Sequence, residues 1–105
     1  MPIIETIVAA ALAISYITAA LYMVFLTFTD IADWFANRRS VSPQDRSRLA
    51  FTLQDMLQNG QFQTVQGVFN TARQQVETDA RKLISTNIDS QLASYHQRQR
   101  LVIYP

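Results

Sequence analysis

The chain has 105 residues, which leaves room for one domain at most. Its net charge of +1 gives no strongly basic surface and therefore argues against nucleic acid as a partner. It contains no cysteine, which excludes disulfides and cysteine-based metal sites.

The N-terminal third carries a long uncharged segment. No charged residue lies between Glu5 and Asp30, and most of the side chains between them are apolar. A bilayer core about 30 Å thick is crossed by about 20 helical residues. The pattern therefore predicts a transmembrane helix, and the acidic rather than basic leader before it argues against a cleaved signal peptide.

The charges that follow this segment predict its orientation. Four arginines come soon after it: Arg38, Arg39, Arg46 and Arg48. The positive-inside tendency then places the N-terminus outside and the C-terminal part on the cytoplasmic side, or on the stromal or matrix side of an organelle. We expect Trp34, Phe35, Arg38 and Arg39 to be interfacial anchors, the rings at headgroup depth and the guanidinium groups on lipid phosphates.

Small residues recur along one side of the predicted membrane helix. Ala11, Ser15 and Ala19 follow one another at intervals of four, and Tyr16 lies beside them. Small side chains at this spacing allow two helix backbones to approach closely, so we predict a packing surface for other membrane helices. Alanine-rich spans without such a partner are the alternative.

The residues after Arg39 show helical signals. Ser42 followed by Pro43 is typical of a helix start, and residues 43–58 carry apolar residues on one stripe: Leu49, Leu53, Met56 and Leu57. Asn59 and Gly60 are suited to end that helix.

A longer periodic segment follows the Asn59-Gly60 pair. Its first apolar stripe consists of Phe62, Val65, Phe69, Ala72, Val76, Ala80 and Leu83, and a second stripe consists of Ile84, Ile88, Leu92 and Tyr95. Either the helix breaks at residues 85–87, or one long helix contacts different neighbours. The predicted fold class is therefore all-α: a single N-terminal transmembrane helix followed by a short helical hairpin or a long amphipathic helix.

The chain ends in an apolar tail. Leu101, Val102, Ile103 and Tyr104 favour a partner-binding role, by strand addition or by filling a groove, while a tail folded onto its own helices is the alternative. The predicted organisation is a membrane part (1–39), a helical domain (40–100) and this tail (101–105).

The sequence shows no catalytic machinery. His96 is the only histidine and has no second histidine or cysteine with which to hold a metal, so we expect a solvated side chain. No serine or threonine has a nearby activating histidine in the sequence. We therefore predict no catalytic residues, no metal and no cofactor.

These features predict a non-catalytic accessory or scaffold subunit of a larger membrane complex, for example an energy-transducing one. Its expected partners are larger membrane subunits and the lipid bilayer, and a homo-oligomer stays open. The alternative is a self-assembling structural membrane protein, such as a virion or membrane-lattice component. A membrane-permeabilising peptide comes third, because the polar part is long and organised.

Overall fold

The computed structural model describes residues 3–38 and 47–104, which form three helices and six strands. In chain order these elements are α1 (Ile3–Ile17), β1 (Ala20–Leu26), α2 (Phe28–Arg38), β2 (Arg48–Met56), β3 (Phe62–Asn70), β4 (Gln75–Val76), β5 (Arg81–Ile88), α3 (Ser90–Tyr95) and β6 (Leu101–Tyr104).

The predicted all-α fold is wrong, because a six-stranded mixed sheet forms the centre of the molecule. The apolar spacing that predicted helices also fits strands, since residues four apart lie on the same face of a strand. In β2, Leu49, Phe51 and Leu53 join one hydrophobic cluster, while Ala50 joins the cluster on the opposite face. The alternation has the period of two that defines a strand.

The Asn59-Gly60 pair, predicted to end a helix, lies in the hairpin turn between β2 and β3. Gly60 has a φ of +85°, and the Leu57 N–H donates to the Gln61 carbonyl at 2.7 Å. Glycine adopts this left-handed conformation without steric strain. The same dipeptide between alternating apolar residues is typical of a hairpin.

The sheet has the strand order β1-β5-β3-β2-β6, with β4 paired to β3. The pairs β5–β3, β3–β2 and β2–β6 are antiparallel, and only β1 runs parallel to its neighbour β5. Strands β1 and β6, at the two ends of this order, are therefore the edge strands of the sheet. Strands from all three predicted segments (1–39, 40–100 and 101–105) join this one sheet.

Helices cover both faces of the sheet. On one face, α1 contributes Ile7 and Ala11 to a cluster with Phe51, Val65 and Phe69. On the other face, α2 and α3 contribute four buried side chains to a second cluster: Ile31, Trp34, Phe35 and Leu92. A sheet with two apolar faces needs a layer on each side, and the three helices supply these layers.

The predicted transmembrane helix and the single-pass topology are wrong. The uncharged segment divides into α1, β1 and the start of α2, with Thr18 and Ala19 linking α1 to β1. Among the helices in the described ranges, none is both long enough and apolar enough to cross a bilayer. Alanine-rich sequence favours the helix, whereas Tyr22, Val24 and Phe25 favour the strand that follows.

Two further helical predictions have different outcomes. The predicted helix start at Ser42-Pro43 lies outside the described residues, and from Arg48 onward the predicted helix 43–58 is strand β2. The predicted break at residues 85–87 lies within β5, and a short helix begins directly after Asp89.

Candidate interaction surface

Strand β1 displays the largest run of exposed apolar side chains on any strand in the described part of the chain. Tyr22 and Val24 are 74% and 73% exposed, and Leu21 and Phe25 are each 52% exposed. We call these four residues the apolar edge. Single exposed apolar residues are ordinary, whereas a contiguous exposed set of this kind is a candidate interaction surface.

The backbone of β1 is paired on one side only. Its residues from Ala20 to Leu26 align with Lys82 to Ile88 of β5 in a parallel ladder. No other strand within residues 3–38 and 47–104 pairs with its outer side. Alternate backbone N–H and C=O groups of β1 therefore point away from the sheet, where an added strand can bond to them.

The apolar edge has side chains on both faces of the sheet. Leu21 is aligned with Leu83, which lies in the cluster under α2 and α3. Tyr22 is aligned with Ile84, on the α1 side of the sheet. Leu21 and Phe25 therefore face the α2 side, while Tyr22 and Val24 face the α1 side. An added strand would find apolar contacts on both sides.

Edge strands of natural proteins are usually protected by charges, prolines, bulges or shortness. Strand β1 spans seven residues and contains no charged residue and no proline. The opposite edge, β6, is only four residues long, and Pro105 follows it in the sequence. Arg100, just before β6, forms an ion pair with Asp55 (2.6 Å). The sheet is thus protected at β6 and unprotected at β1.

The inward contacts of β1 hold it in a fixed position. Leu26 is fully buried, and Met23 packs against the same cluster as Trp34. Leu26 also accepts a hydrogen bond from the Asp89 N–H at 3.0 Å. A strand anchored in this way is ordered before a partner arrives, which lowers the entropic cost of binding.

The end of α1 is tied to the strand beside β1. The Lys82 ammonium, on β5, donates to the carbonyl oxygen of Ser15 at 2.7 Å. A cation at the C-terminal end of a helix satisfies a free carbonyl and interacts favourably with the helix dipole. The last two residues of α1, Tyr16 and Ile17, are 86% and 80% exposed. The end of α1 that precedes β1 therefore also exposes apolar side chains.

The residues predicted to pack against another membrane helix have three different environments. Ala11 and Ser15 are buried on the side of α1 that faces the sheet, together with Ile7. Tyr16 is exposed on the opposite side, and Ala19 is exposed in the link to β1. Ala11 and Ser15 therefore lie on a packing face of α1, and the surface that this face meets is the chain's own sheet.

The predicted interfacial anchors are separated. Trp34 and Phe35 are buried, and their rings meet edge to face with centroids 5.5 Å apart. Arg38 is the last residue of α2, and Arg39 lies outside the described residues. The membrane role expected for these residues is withdrawn with the transmembrane helix, because the two rings are part of the core under α2.

The apolar tail, predicted to bind a partner, forms strand β6. Residues Leu101 to Tyr104 pair with Leu53 to Ala50 of β2, and Val102 and Tyr104 are buried in the cluster under α2 and α3. This placement is the folded-back alternative stated above, although onto a sheet rather than onto helices. A partner-binding role for these four residues stays a prediction.

A buried hydrogen-bonded chain joins β2, β6 and the residue after α3. The Thr52 hydroxyl lies 2.8 Å from His96 Nε2 and 2.7 Å from the Tyr104 hydroxyl. His96 Nδ1 lies 3.1 Å from the Gln99 carbonyl, which only accepts, so Nδ1 carries the proton of the neutral ring. Tyr104 therefore donates to Thr52, and Thr52 donates to His96 Nε2.

Burial favours the neutral forms of His96 and Tyr104 in this hydrogen-bonded series. It lowers the pKa of the His96 imidazole, with smaller opposing effects from the backbone at Gln99 and Arg100 and from the Asp55 charge. It also raises the pKa of the Tyr104 hydroxyl. Thr52 is completely buried, so no substrate reaches its hydroxyl. We assign a structural role to the hydrogen bonds that join Thr52, His96 and Tyr104. His96 is not the solvated side chain expected from the sequence.

A shallow open depression lies between β1 and α2, lined by Met23, Phe25, Asp30, Asp33, Trp34, Asn37 and Arg81. Arg81 Nε donates to the buried Gln66 side chain (2.8 Å), and Gln66 Nε2 donates to the Ile31 carbonyl (2.8 Å). The Arg81 guanidinium also lies over the Trp34 ring, 5.3 Å from its centroid. These contacts fix α2 on the sheet.

Within residues 3–38 and 47–104, no three histidine, aspartate or glutamate side chains come together as metal ligands. The chain matches no known family model, no curated protein and no solved structure. The apolar edge is therefore chosen as the candidate functional site from the geometry of the described residues.

The residues of the apolar edge were not predicted as a site from the sequence. Leu21, Tyr22, Val24 and Phe25 were included in the predicted membrane helix, where apolar residues need no explanation. Two signals could have separated them: the change from alanine-rich to aromatic and β-branched sequence, and the Thr27…Asp30 pair, which marks a new helix start. The structure confirms that pair, because the Thr27 hydroxyl accepts from the Asp30 N–H and the Asp30 carboxylate accepts from the Thr27 N–H, both at 3.1 Å.

Proposed function

We propose that this protein is a small, non-catalytic scaffold subunit that joins another polypeptide by strand addition along β1. The observation that carries this proposal is the apolar edge: an ordered, uncharged, unprotected edge strand with four large apolar side chains more than half exposed. The membrane part of the earlier expectation is not retained.

Strand addition accounts for the unpaired backbone groups of β1 and for its exposed apolar side chains. The outward backbone groups of β1 would form a hydrogen-bonded ladder with the added strand, which supplies a large part of the affinity in such complexes. The side chains on the two faces would select the partner, since an incoming strand must present apolar residues to Tyr22 and Val24 on one face and to Leu21 and Phe25 on the other.

The burial of the Thr52 hydroxyl beside His96 supports a scaffold rather than an enzyme. A catalytic hydroxyl must reach its substrate, and the Thr52 hydroxyl beside His96 is enclosed by the core. Its partners are also fully used in holding β6 and α3 to β2. The histidine is therefore accounted for by folding.

The experiment is site-specific photo-crosslinking in cells of the source organism. A photo-reactive residue replaces Tyr22 in one variant and Gln97, an exposed residue near the opposite edge of the sheet, in the other. We expect a discrete crosslinked product of about one-to-one stoichiometry from position 22 and none from position 97. Adding Val24→Lys should abolish the product, because a charge on the edge disfavours strand addition.

A matched charge variant, Gln97→Lys, should leave the position-22 product unchanged. Equal and diffuse crosslinking at positions 22 and 97 would contradict the proposal, as would a position-22 product that survives Val24→Lys. Both outcomes would show that β1 has no particular role in assembly.

A further inference from the structure

Resting on the proposed function, we infer that the strand added to β1 is β1 of a second copy of this chain, antiparallel to the first. The two-fold axis passes at Met23, the central residue of the strand. The product is a dimer with one sheet continuous across both copies.

The charge pattern of β1 fits a second copy. A symmetric interface places the same residues on both sides, so a charge close to the two-fold axis would lie near its own copy. Ala20–Leu26 contains no charged residue, and self-association therefore carries no such penalty. The opposite edge offers a shorter ladder for self-pairing, because β6 has only four residues.

The residue pattern is self-complementary about Met23. Antiparallel pairing on this axis places Tyr22 opposite Val24 of the second copy, and Leu21 opposite Phe25 of the second copy. Each pair joins an aromatic ring to an aliphatic side chain, and each lies on one face of the sheet. Aromatic and aliphatic residues at directly opposite positions stabilise antiparallel strands.

The axis at Met23 also pairs the whole strand. Ala20 meets Leu26 of the second copy, so all seven residues lie within the ladder. An axis at Tyr22 or Val24 would leave two residues of each strand unpaired and would place an exposed side chain opposite its own copy, whereas the central axis does so only for Met23, which packs against the core. The observed strand length therefore favours the central axis.

The exposed area is sufficient for a specific but modest dimer. The four side chains of the apolar edge each expose roughly 100–200 Å², so two copies would bury at most roughly 1,000 Å² in total. This is near the lower limit for a specific interface, and we expect a dissociation constant of roughly 10 µM. The assembly stops at two copies, because the isologous contact uses both β1 edges and β6 is protected.

The absence of native cysteine permits a direct test of the pairing. Tyr22→Cys and Val24→Cys are made as separate proteins, both at exposed positions where the core is unaffected. Opposite residues in an antiparallel pair have Cα atoms about 4.5–5.5 Å apart, within disulfide reach, whereas residue 22 and its own copy would be about 8 Å apart. Mild oxidation should therefore link the mixture and neither protein alone.

Sedimentation of the purified protein provides the second measurement. We expect a concentration-dependent dimer for the wild type and for Gln97→Lys, and an affinity about 100-fold weaker for Val24→Lys. A disulfide formed by Tyr22→Cys alone would overturn the stated axis. A wild-type protein that stays monomeric at about 100 µM, with no disulfide in the mixture, would overturn the dimer.

The dimer and the proposed function fail in different ways. If the wild type is monomeric while position 22 still crosslinks to a different polypeptide in cells, the dimer is wrong and strand addition along β1 stands. If position 22 gives no product in cells and the wild type is monomeric, both are wrong.

Discussion

At the scale of single residues, the buried hydroxyl groups differ in how they are satisfied. Thr52 lies between His96 and Tyr104 and hydrogen-bonds to both. Ser85, two strands away in β5, is fully buried, and its Oγ has no hydrogen-bond partner in the described structure. A buried hydroxyl without a partner costs the free energy of removing it from water, about 1–3 kcal/mol.

Removing the unpartnered hydroxyl should stabilise the fold. For Ser85→Ala we expect the free energy of unfolding in urea to rise by about 1 kcal/mol, because the desolvated group is lost and only a very small volume is removed. The matched variant is Thr52→Val, which keeps the shape and leaves Tyr104 and His96 without their partner. It should lower the same quantity by about 2 kcal/mol, and an equal effect of the two variants would contradict the assignment.

The neutral His96 makes stability depend on pH. Because burial lowers the folded-state pKa of His96 below its ordinary value of 6.5, the unfolded chain binds the proton first as pH falls. The stability from this group is complete above pH 6.5 and decreases as pH falls from there through the lowered folded pKa. Protonation would also make Nε2 a donor, so that one of the two hydroxyl protons of Thr52 and Tyr104 would lose its acceptor.

Urea unfolding of the wild type at pH 7.5 and 5.5 should therefore show lower stability at the acidic pH. His96→Gln should reduce this difference, since the amide can bond to Thr52 and does not titrate. An unchanged pH dependence in His96→Gln would show that other groups cause it.

At the scale of elements, one carboxylate organises two helices. Both oxygens of Asp89 lie 3.1 Å from the N–H of Phe28, the first residue of α2, and Oδ1 also accepts from Leu92 in α3 at 2.9 Å. An acceptor at a helix start satisfies a free N–H and interacts favourably with the helix dipole. Asp89 thus places α2 and α3 side by side on the sheet.

Asp89→Ala should lower the free energy of unfolding by about 2 kcal/mol, because two helix starts lose an acceptor. The control is Asp30→Ala, which removes the exposed carboxylate that accepts from the Thr27 N–H at the start of α2. It should cost about 0.5–1 kcal/mol. Equal losses for the two aspartates would argue against a shared cap.

The sequence predicted the positions of several elements better than their type. The Asn59-Gly60 pair was expected to end a helix, and it lies instead in the turn between strands β2 and β3, so it interrupts the regular structure where expected but between elements of another type. Helix and strand were confused between residues 48 and 88, because Leu49 and Leu53, or Val65 and Phe69, are four apart and share a face in either structure. Thr52 and Gln66, which lie between these apolar residues, are buried and hydrogen-bonded. A helix with a single apolar stripe does not account for buried polar side chains at these positions.

The candidate site could not be predicted from the sequence, because the apolar composition of this segment fits more than one structure. A run of apolar residues from Thr6 to Thr29 fits a membrane helix, and it fits equally well a helix on one face of a sheet followed by an edge strand. Which of these forms depends on the layers contributed by β2, β3 and β5, far along the chain. The exposure of Tyr22 and Val24 follows from this tertiary arrangement and from no local signal.

At the scale of the whole molecule, the asymmetry between the two edges of the sheet determines how it can assemble. Strand β6 is short and lies beside an ion pair, whereas β1 is long, apolar and open. A sheet with one open edge joins one further strand and then has no second site for growth. The protein is therefore suited to a closed complex rather than to a filament.

The measurement that tests the role of β1 most directly is amide hydrogen exchange of residues 20–26 over a range of protein concentrations. We predict that the outward-facing amides of β1 exchange rapidly at low concentration and become protected as the dimer forms. The amides of β3, at the centre of the sheet, should be protected throughout. Exchange in β1 that is the same at every concentration would contradict self-assembly through this edge.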